Sequence, residues 1–205
     1  MKRILILGAS GTFGKALVER LCSGNKVLLT LASRHASACF TESQRIRVVD
    51  CDAMDIDGLQ RVMADCQVVY CAISGNDLPA VARNIVVAMR REGVHRLIFM
   101  GAVGIYNEIP TDMDDEDNVR NNPDQVPNRL AVDVVENSGL DYTVLRPGYL
   151  QDGDAADFIL TFKGEQAKGY ISTIPSVVAL AERLISDDTL YVGQSVSITC
   201  DLTKE

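Results

Sequence analysis

The chain has 205 residues, 47% hydrophobic and 23% charged, with a formal net charge of −8; that length builds one sizeable core, and the acidic balance argues against nucleic acid as main partner, because phosphate contacts need a basic face. No apolar run approaches a membrane span, and the first is too short and too soon broken by glycine for a secretory signal, so a cytoplasmic protein is expected. Six scattered cysteines form no C-x-x-C pair and only two histidines are present, so no metal site is expected, and most of the cysteines read as small buried hydrophobes.

Residues 1–14 read MKRILILGASGTFG. The apolar run Ile4–Leu7 breaks into Gly8, Gly11 and Gly14 and then into an amphipathic segment, the pattern of strand, tight turn and helix. Such a turn cradles a pyrophosphate, because a helix N-terminus offers free N–H groups and partial positive charge. Gly8 permits the turn, Gly11 lets the backbone approach the anion, and Gly14 lets the helix lie close on the strand; Ser10, Thr12 and Phe13 complete the loop, the two hydroxyls as added donors. A P-loop is disfavoured because Ala16, not Ser or Thr, follows Gly14-Lys15. The competing reading is a glycine turn that binds nothing.

The first helix is expected over Lys15–Ser23, stopped by Gly24 with Asn25, and the second strand over Lys26–Ala32. Ser33-Arg34 follows, where a dinucleotide fold meets the adenosine ribose. An acid there selects NAD, whereas an arginine holds the 2′-phosphate of NADP. The residues favour NADP(H), with NAD still possible; the alternative for Arg34 is a solvated loop charge. Ile46–Val49 is a third strand, then Asp55 caps a helix to about Ala64. Gln67–Ala72 is a fourth strand, and at Ala72, Ile73, Ser74 and Gly75 the backbone can approach a cofactor. A helix over Asp77–Arg91 ends at Gly93, and Arg96–Met100 is a fifth strand. Apolar strands alternating with helices predict an α/β, Rossmann-like, doubly wound and mainly parallel sheet with helices on both faces.

From Gly101 the alternation breaks. Asn107–Asn122 is polar and acidic, with Asp112 and Asp114–Asp117 nearly consecutive; it reads as a solvated face, the alternative being a mobile lid. A helix is expected over Asp124–Ser138, a sixth strand over Tyr142–Arg146 stopped by Pro147-Gly148, a loop over Asp152–Asp157 and a brief strand over Gly169–Ser172. A helix from Pro175 to about Ser186 and a last strand over Gln194–Cys200 close the chain. One domain is expected over 1–205, with a small substrate-side region within about 147–205.

The glycine loop, Ser33-Arg34, Cys51-Asp52, Ser74-Gly75, Met100-Gly101-Ala102 and above all Asn137–Gly148, NSGLDYTVLRPG, together resemble the atypical short-chain dehydrogenase/reductases, nearest to small NAD(P)-binding proteins related to flavin reductases and NmrA-type sensors. The resemblance runs from Lys2 to about Ile198. It implies that Asp52 and Ala53 lie near the adenine, Gly101 and Ala102 along the cofactor, and Arg146, Pro147, Gly148 and Tyr149 near the nicotinamide or substrate.

The reductases with a full catalytic set carry a Ser after the fifth strand and a Tyr four residues before a Lys, which together protonate a carbonyl. Here those positions fall on Ala102, Asp124 and Asn128, and no Y-x-x-x-K occurs. Tyr106 and Tyr149 are the candidate hydrogen-bond donors of the substrate pocket; packing is the alternative for each, and no residue is assigned as catalytic. The expectation is NADPH-dependent hydride transfer to a small molecule, namely a flavin, quinone or similar planar acceptor, which needs orientation more than acid–base machinery. The competing expectation is a non-catalytic NADP(H)-binding sensor.

Overall fold

The computed structural model of the chain describes residues 1–24, 27–113, 115–154 and 157–200. Asn25, Lys26, Asp114, Ala155 and Ala156, which the sequence reading placed in a helix stop, a strand, the acidic run and a loop, lie outside the described residues.

The first half alternates strictly: β1 (Lys2–Leu7), α1 (Thr12–Ser23), β2 (Val27–Ser33), β3 (Ile46–Asp50), α2 (Ile56–Met63), β4 (Val68–Cys71), α3 (Leu78–Glu92) and β5 (Arg96–Met100). After two 3₁₀ turns at Asp115–Asp117 and Pro123–Gln125 come α4 (Val126–Glu136), β6 (Asp141–Pro147), β7 (Tyr149–Gln151), β8 (Phe158–Phe162), β9 (Ile171–Thr173), α5 (Ile174–Ser186) and β10 (Gln194–Cys200). The strands form one sheet in the order β3-β2-β1-β4-β5-β6-β10-β9-β7, with β8 pairing β10 off that path. Pairing is parallel from β3 through to β10, and β8 and β9 then run antiparallel to β10. This is the expected doubly wound, mainly parallel α/β fold.

Period-two alternation sorts the strand residues onto two faces. Leu5, Leu7, Val69, Phe99 and Val144 pack under α2, α3 and α4, against Leu59, Met63, Ile85, Met89 and Val132. Ile4, Ile6, Tyr70, Ile98 and Leu145 pack under α1 and α5, against Leu17, Leu21, Val177 and Leu184.

Helix α1 begins at Thr12, three residues before the expected Lys15. Gly14 is a poor helix former, yet a Cβ there would lie 2.7 Å from the Ala9 carbonyl oxygen, so the close crossing of helix and turn requires glycine. Asp55 holds the N-cap position of α2, but its carboxylate makes no cap hydrogen bond and faces Arg61 at 3.5 Å. The expected helix over Asp124–Ser138 divides into a 3₁₀ turn and α4, with Pro127 in the first turn of α4. β7 and β8 were not expected. Pro147 ends β6 rather than following it, and after Gly148 the chain resumes as an exposed edge strand.

Candidate functional site

The strand order reverses between β1 and β4, and a cleft of about 490 Å³ opens beyond the carboxyl ends of β1, β2 and β4. Doubly wound sheets bind dinucleotides at such a switch point. Leu7, Gly8, Ser10 and Gly11 line it from the first turn, Ala32–His35 from the end of β2, Cys51–Met54 from the loop after β3, and Ala72–Leu78 with Val81 from the stretch after β4.

Gly8 turns the chain with φ +75°, and a Cβ there would lie 2.9 Å from the Ala72 carbonyl carbon. The Gly8 and Ala9 N–H groups donate to the Ala32 carbonyl at 2.9 and 3.2 Å, which fixes the loop against β2. Gly11 is the N-cap of α1, and the first bond into the helix runs from the Lys15 N–H to the Gly11 carbonyl at 2.8 Å. The first-turn N–H groups of Thr12, Phe13 and Gly14 precede that bond and have no partner within the helix. These three residues build the helix start rather than the cleft wall. A cradle that a Cβ would fill, facing a helix N-terminus, fits a pyrophosphate. The buried Ser33 Oγ at the cleft's edge, with no hydrogen-bond partner among the described residues, fits the ribose end of the same ligand.

Arg34 is exposed at the rim and makes no ion pair among the described residues. The acids around it are engaged. Asp50, the last residue of β3, accepts from the Ser37 N–H at 2.8 Å and the Ser37 hydroxyl at 2.6 Å, bonds that hold its carboxyl below the ordinary range. Asp52 accepts from the Met54 N–H at 2.9 Å. Asn84 of α3 donates to the carbonyls of Ala53 and Met54 at 3.1 and 3.3 Å, pinning the loop that Asp52 and Ala53 supply. Burial, then Asp55 and Asp52, push the Cys51 thiol up, so it lines the cleft as a protonated wall group and not a nucleophile.

The other candidates fall outside this cleft. Gly101 and Ala102 follow β5 and pack toward α4, where a Gly101 Cβ would lie 3.1 Å from Val144. Arg146 is fully buried and ion-paired with Glu108, and it donates to the Thr161 carbonyl at 3.2 Å. The reason is the strand period: Arg146 lies two residues beyond Val144 and so faces the α4 layer. The resemblance placed Arg146 near the nicotinamide or substrate; in the structure its guanidinium is engaged by Glu108 and the Thr161 carbonyl. Desolvation pulls its pKa down and Glu108 opposes that pull.

Tyr106, a candidate donor of the substrate pocket with packing as the alternative, is engaged in the same region. Its hydroxyl donates to Glu136 at 2.6 Å and lies 3.0 Å from the Ser195 hydroxyl, while Arg129, Lys163 and Arg146 sit 4.7, 4.9 and 5.0 Å from its ring centre. Burial, with the Glu136 bond, pushes its pKa well up. The side chain is the hub of a structural network and not an open proton donor.

Tyr149 is 59% exposed and stacks on Tyr170, with ring centres 6.1 Å apart and planes 19° apart. The two rings, Glu116 and Asp117 line a second pocket of about 290 Å³. Pro147-Gly148 is held against β9 beside it: the Gly148 N–H donates to Ser172 Oγ at 2.8 Å and the Tyr149 N–H to the Tyr170 carbonyl at 2.7 Å. The Tyr170 hydroxyl bonds Asp117. The acidic run is tied down rather than loose. Buried Asn118 exchanges two bonds with Ile109, at 3.1 and 2.8 Å, and Asp115 pairs with Arg120 at 2.6 Å. Asp112 and Glu116 are solvated as expected, but Asp115 and Asp117 are half-buried.

The sequence reading missed His35, Cys51, Met54, Asn76, Asp77 and Leu78 as cleft residues, although all are continuous with stretches it named. Asp117 and Tyr170, 53 positions apart, carry no sequence signal of their meeting. Among the described residues no group of His, Cys, Asp and Glu could hold a metal, and no helix is long and apolar enough to cross a membrane.

A family model described as NAD(P)H-binding matches residues 8–187. The chain belongs to this NAD(P)H-binding family. A Rossmann-fold NAD(P)-binding family protein from Shigella flexneri is 30% identical over 97% of this chain and 93% of its own, with a TM-score of 0.84. A wide-type short-chain dehydrogenase/reductase from Veillonella parvula, solved in complex with NADP, shares the fold at TM-score 0.88, 23% identity, and 100% and 97% coverage. The anaerobillin reductase ChuY from Escherichia coli O157:H7 shares it at TM-score 0.81, 20% identity, and 97% coverage of both chains. A search of curated proteins found no match. The chain thus has the Rossmann fold of NAD(P)-binding proteins, and it shares that fold with the dehydrogenase/reductase and the reductase just named.

Proposed function

We propose that this family member binds NADP(H) in the switch-point cleft and reduces a small planar acceptor. The observation that carries the cofactor choice is Arg34: a free guanidinium at the rim beyond β2, while Asp50 and Asp52 are occupied by Ser37 and Met54. Gly8, Ser10 and Gly11, with the first-turn N–H groups of Thr12, Phe13 and Gly14, hold the pyrophosphate. Ser33 and Arg34 hold the 2′-phosphorylated ribose, Asp52 and Ala53 flank the adenine, and Ala72, Ile73 and Ser74 line the side toward α3. Gly101 and Ala102, and the backbone of Pro147 and Gly148, would flank the nicotinamide half of the cofactor, and 147–205 would serve as the substrate-side region of a single 1–205 domain. Bound NADPH would supply the hydride, becoming NADP⁺, and solvent would supply the one proton that completes reduction of the acceptor. The chain's part is to orient the two rings and exclude water, and Tyr149 beside Gly148 is the exposed aromatic surface for the acceptor.

Three observations favour a second reading, a non-catalytic NADP(H) sensor of the NmrA type: the cleft does not reach Ala102, and Tyr106 and Arg146 are both committed to packing. Stopped-flow mixing of NADPH-loaded protein with a quinone or flavin separates the two. Acceptor-dependent loss of absorbance at 340 nm supports reduction; tight NADPH binding without it supports the sensor.

A further inference from the structure

The pocket at Tyr149 and Tyr170 says something about the charge of the acceptor. It is walled by two aromatic rings and two carboxylates, Glu116 and Asp117, and among the described residues no Lys or Arg lines it. The nearby Arg120 is neutralised by Asp115 at 2.6 Å. Asp117 cannot swing away, because its carboxylate holds the Tyr170 hydroxyl and accepts from Asn122 Nδ2 at 3.0 Å. A flat ring laid on Tyr149 therefore meets fixed negative charge in a chain whose formal net charge is already −8.

We infer that this pocket selects an uncharged or cationic planar acceptor and rejects acceptors bearing phosphate or carboxylate groups near the ring. The inference rests on the acceptor-reducing reading above and narrows its substrate class, from flavins and quinones in general to those without an anionic tail. Selection here is by repulsion: stacking area is common to both kinds of ligand, and the carboxylates discriminate between them.

Riboflavin and FMN test this, since they share one isoalloxazine ring and differ by a phosphate. Quenching of flavin fluorescence, in protein saturated with NADP⁺, gives both dissociation constants without turnover. At low ionic strength riboflavin binds about fivefold to tenfold more tightly than FMN, and the ratio shrinks toward one in about 0.5 M salt as the charges are screened. E116Q narrows the low-salt ratio by about twofold or more. FMN binding as tightly as riboflavin at low salt, or a ratio indifferent to salt and to E116Q, overturns the charge selection and leaves the acceptor reading standing. Binding of neither flavin overturns the assignment of this pocket to a planar acceptor, while the reduction itself is decided by the stopped-flow experiment with a quinone.

Discussion

Arg34, just past β2, and Arg146, at the end of β6, occupy comparable places at the carboxyl edge of one sheet, and their surroundings are opposite. Arg34 is exposed, unpaired among the described residues and at the rim of an open cleft. Arg146 has no exposed surface, holds Glu108, and lies 5.0 Å from the Tyr106 ring centre. Side-chain type and motif membership do not separate them; the face of the strand and the company kept do. A free cation at a rim is available to a phosphate. A buried cation has already exchanged its hydration for a carboxylate, and what remains is structural.

That contrast can be broken by substitution. The largest effect is expected for E108Q, which strands the Arg146 charge in the interior: about 3–5 kcal/mol of stability lost in urea denaturation, with NADPH affinity changed less than about twofold in the folded protein. The double variant E108L/R146M removes both charges and loses less than E108Q alone. A marked loss of NADPH binding at full stability would move Arg146 back to the cofactor.

Tyr106→Phe is expected to cost about 1 kcal/mol, since one hydroxyl leaves Glu136 and Ser195 while Glu136 keeps Lys163 at 2.7 Å. The rate of acceptor-dependent NADPH oxidation should hardly change; a drop of a hundredfold or more would make Tyr106 a proton donor after all. Burial pushes the hydroxyls of Tyr106 and Tyr70 above the ordinary tyrosine pKa. The folded state then keeps protons that the unfolded chain gives up above about pH 10, so stability falls as pH rises past that point. Stability at pH 8 and pH 10.5, compared by urea denaturation, checks the sign, and Tyr106→Phe should reduce the alkaline loss. The smallest effect belongs to Tyr70→Phe. The Tyr70 hydroxyl is buried without a partner among the described residues, so its removal leaves stability at pH 8 unchanged or raises it by up to about 1 kcal/mol.

The cleft side of the comparison was legible in the sequence because each piece is local: a glycine turn, the two residues after β2, the stretch after β4. Parallel strands bring such carboxyl-end loops together whatever the details, so reading the strands placed the loops. The far side was not legible. Arg146 sits in a motif-like LRPG, but its direction follows from strand parity relative to Val144, and its partner Glu108 comes from a loop with no periodic pattern. The Tyr149–Tyr170 contact depends on β7 and β9, strands of three residues each, too short for alternation to show. Helix α1 began early for a related reason: Gly14 lowers helix propensity, yet tertiary crowding demands it there.

The central claim, that Arg34 is the ligand-binding arginine and reads a 2′-phosphate, is tested most directly by calorimetric titration of NADPH and NADH into the wild-type protein and R34A. Two charge-assisted hydrogen bonds predict that NADPH binds the wild type at least about tenfold more tightly than NADH, and that R34A weakens NADPH by about 10- to 100-fold while NADH changes less than about twofold. Equal wild-type affinities, or equal losses for the two nucleotides in R34A, would contradict it.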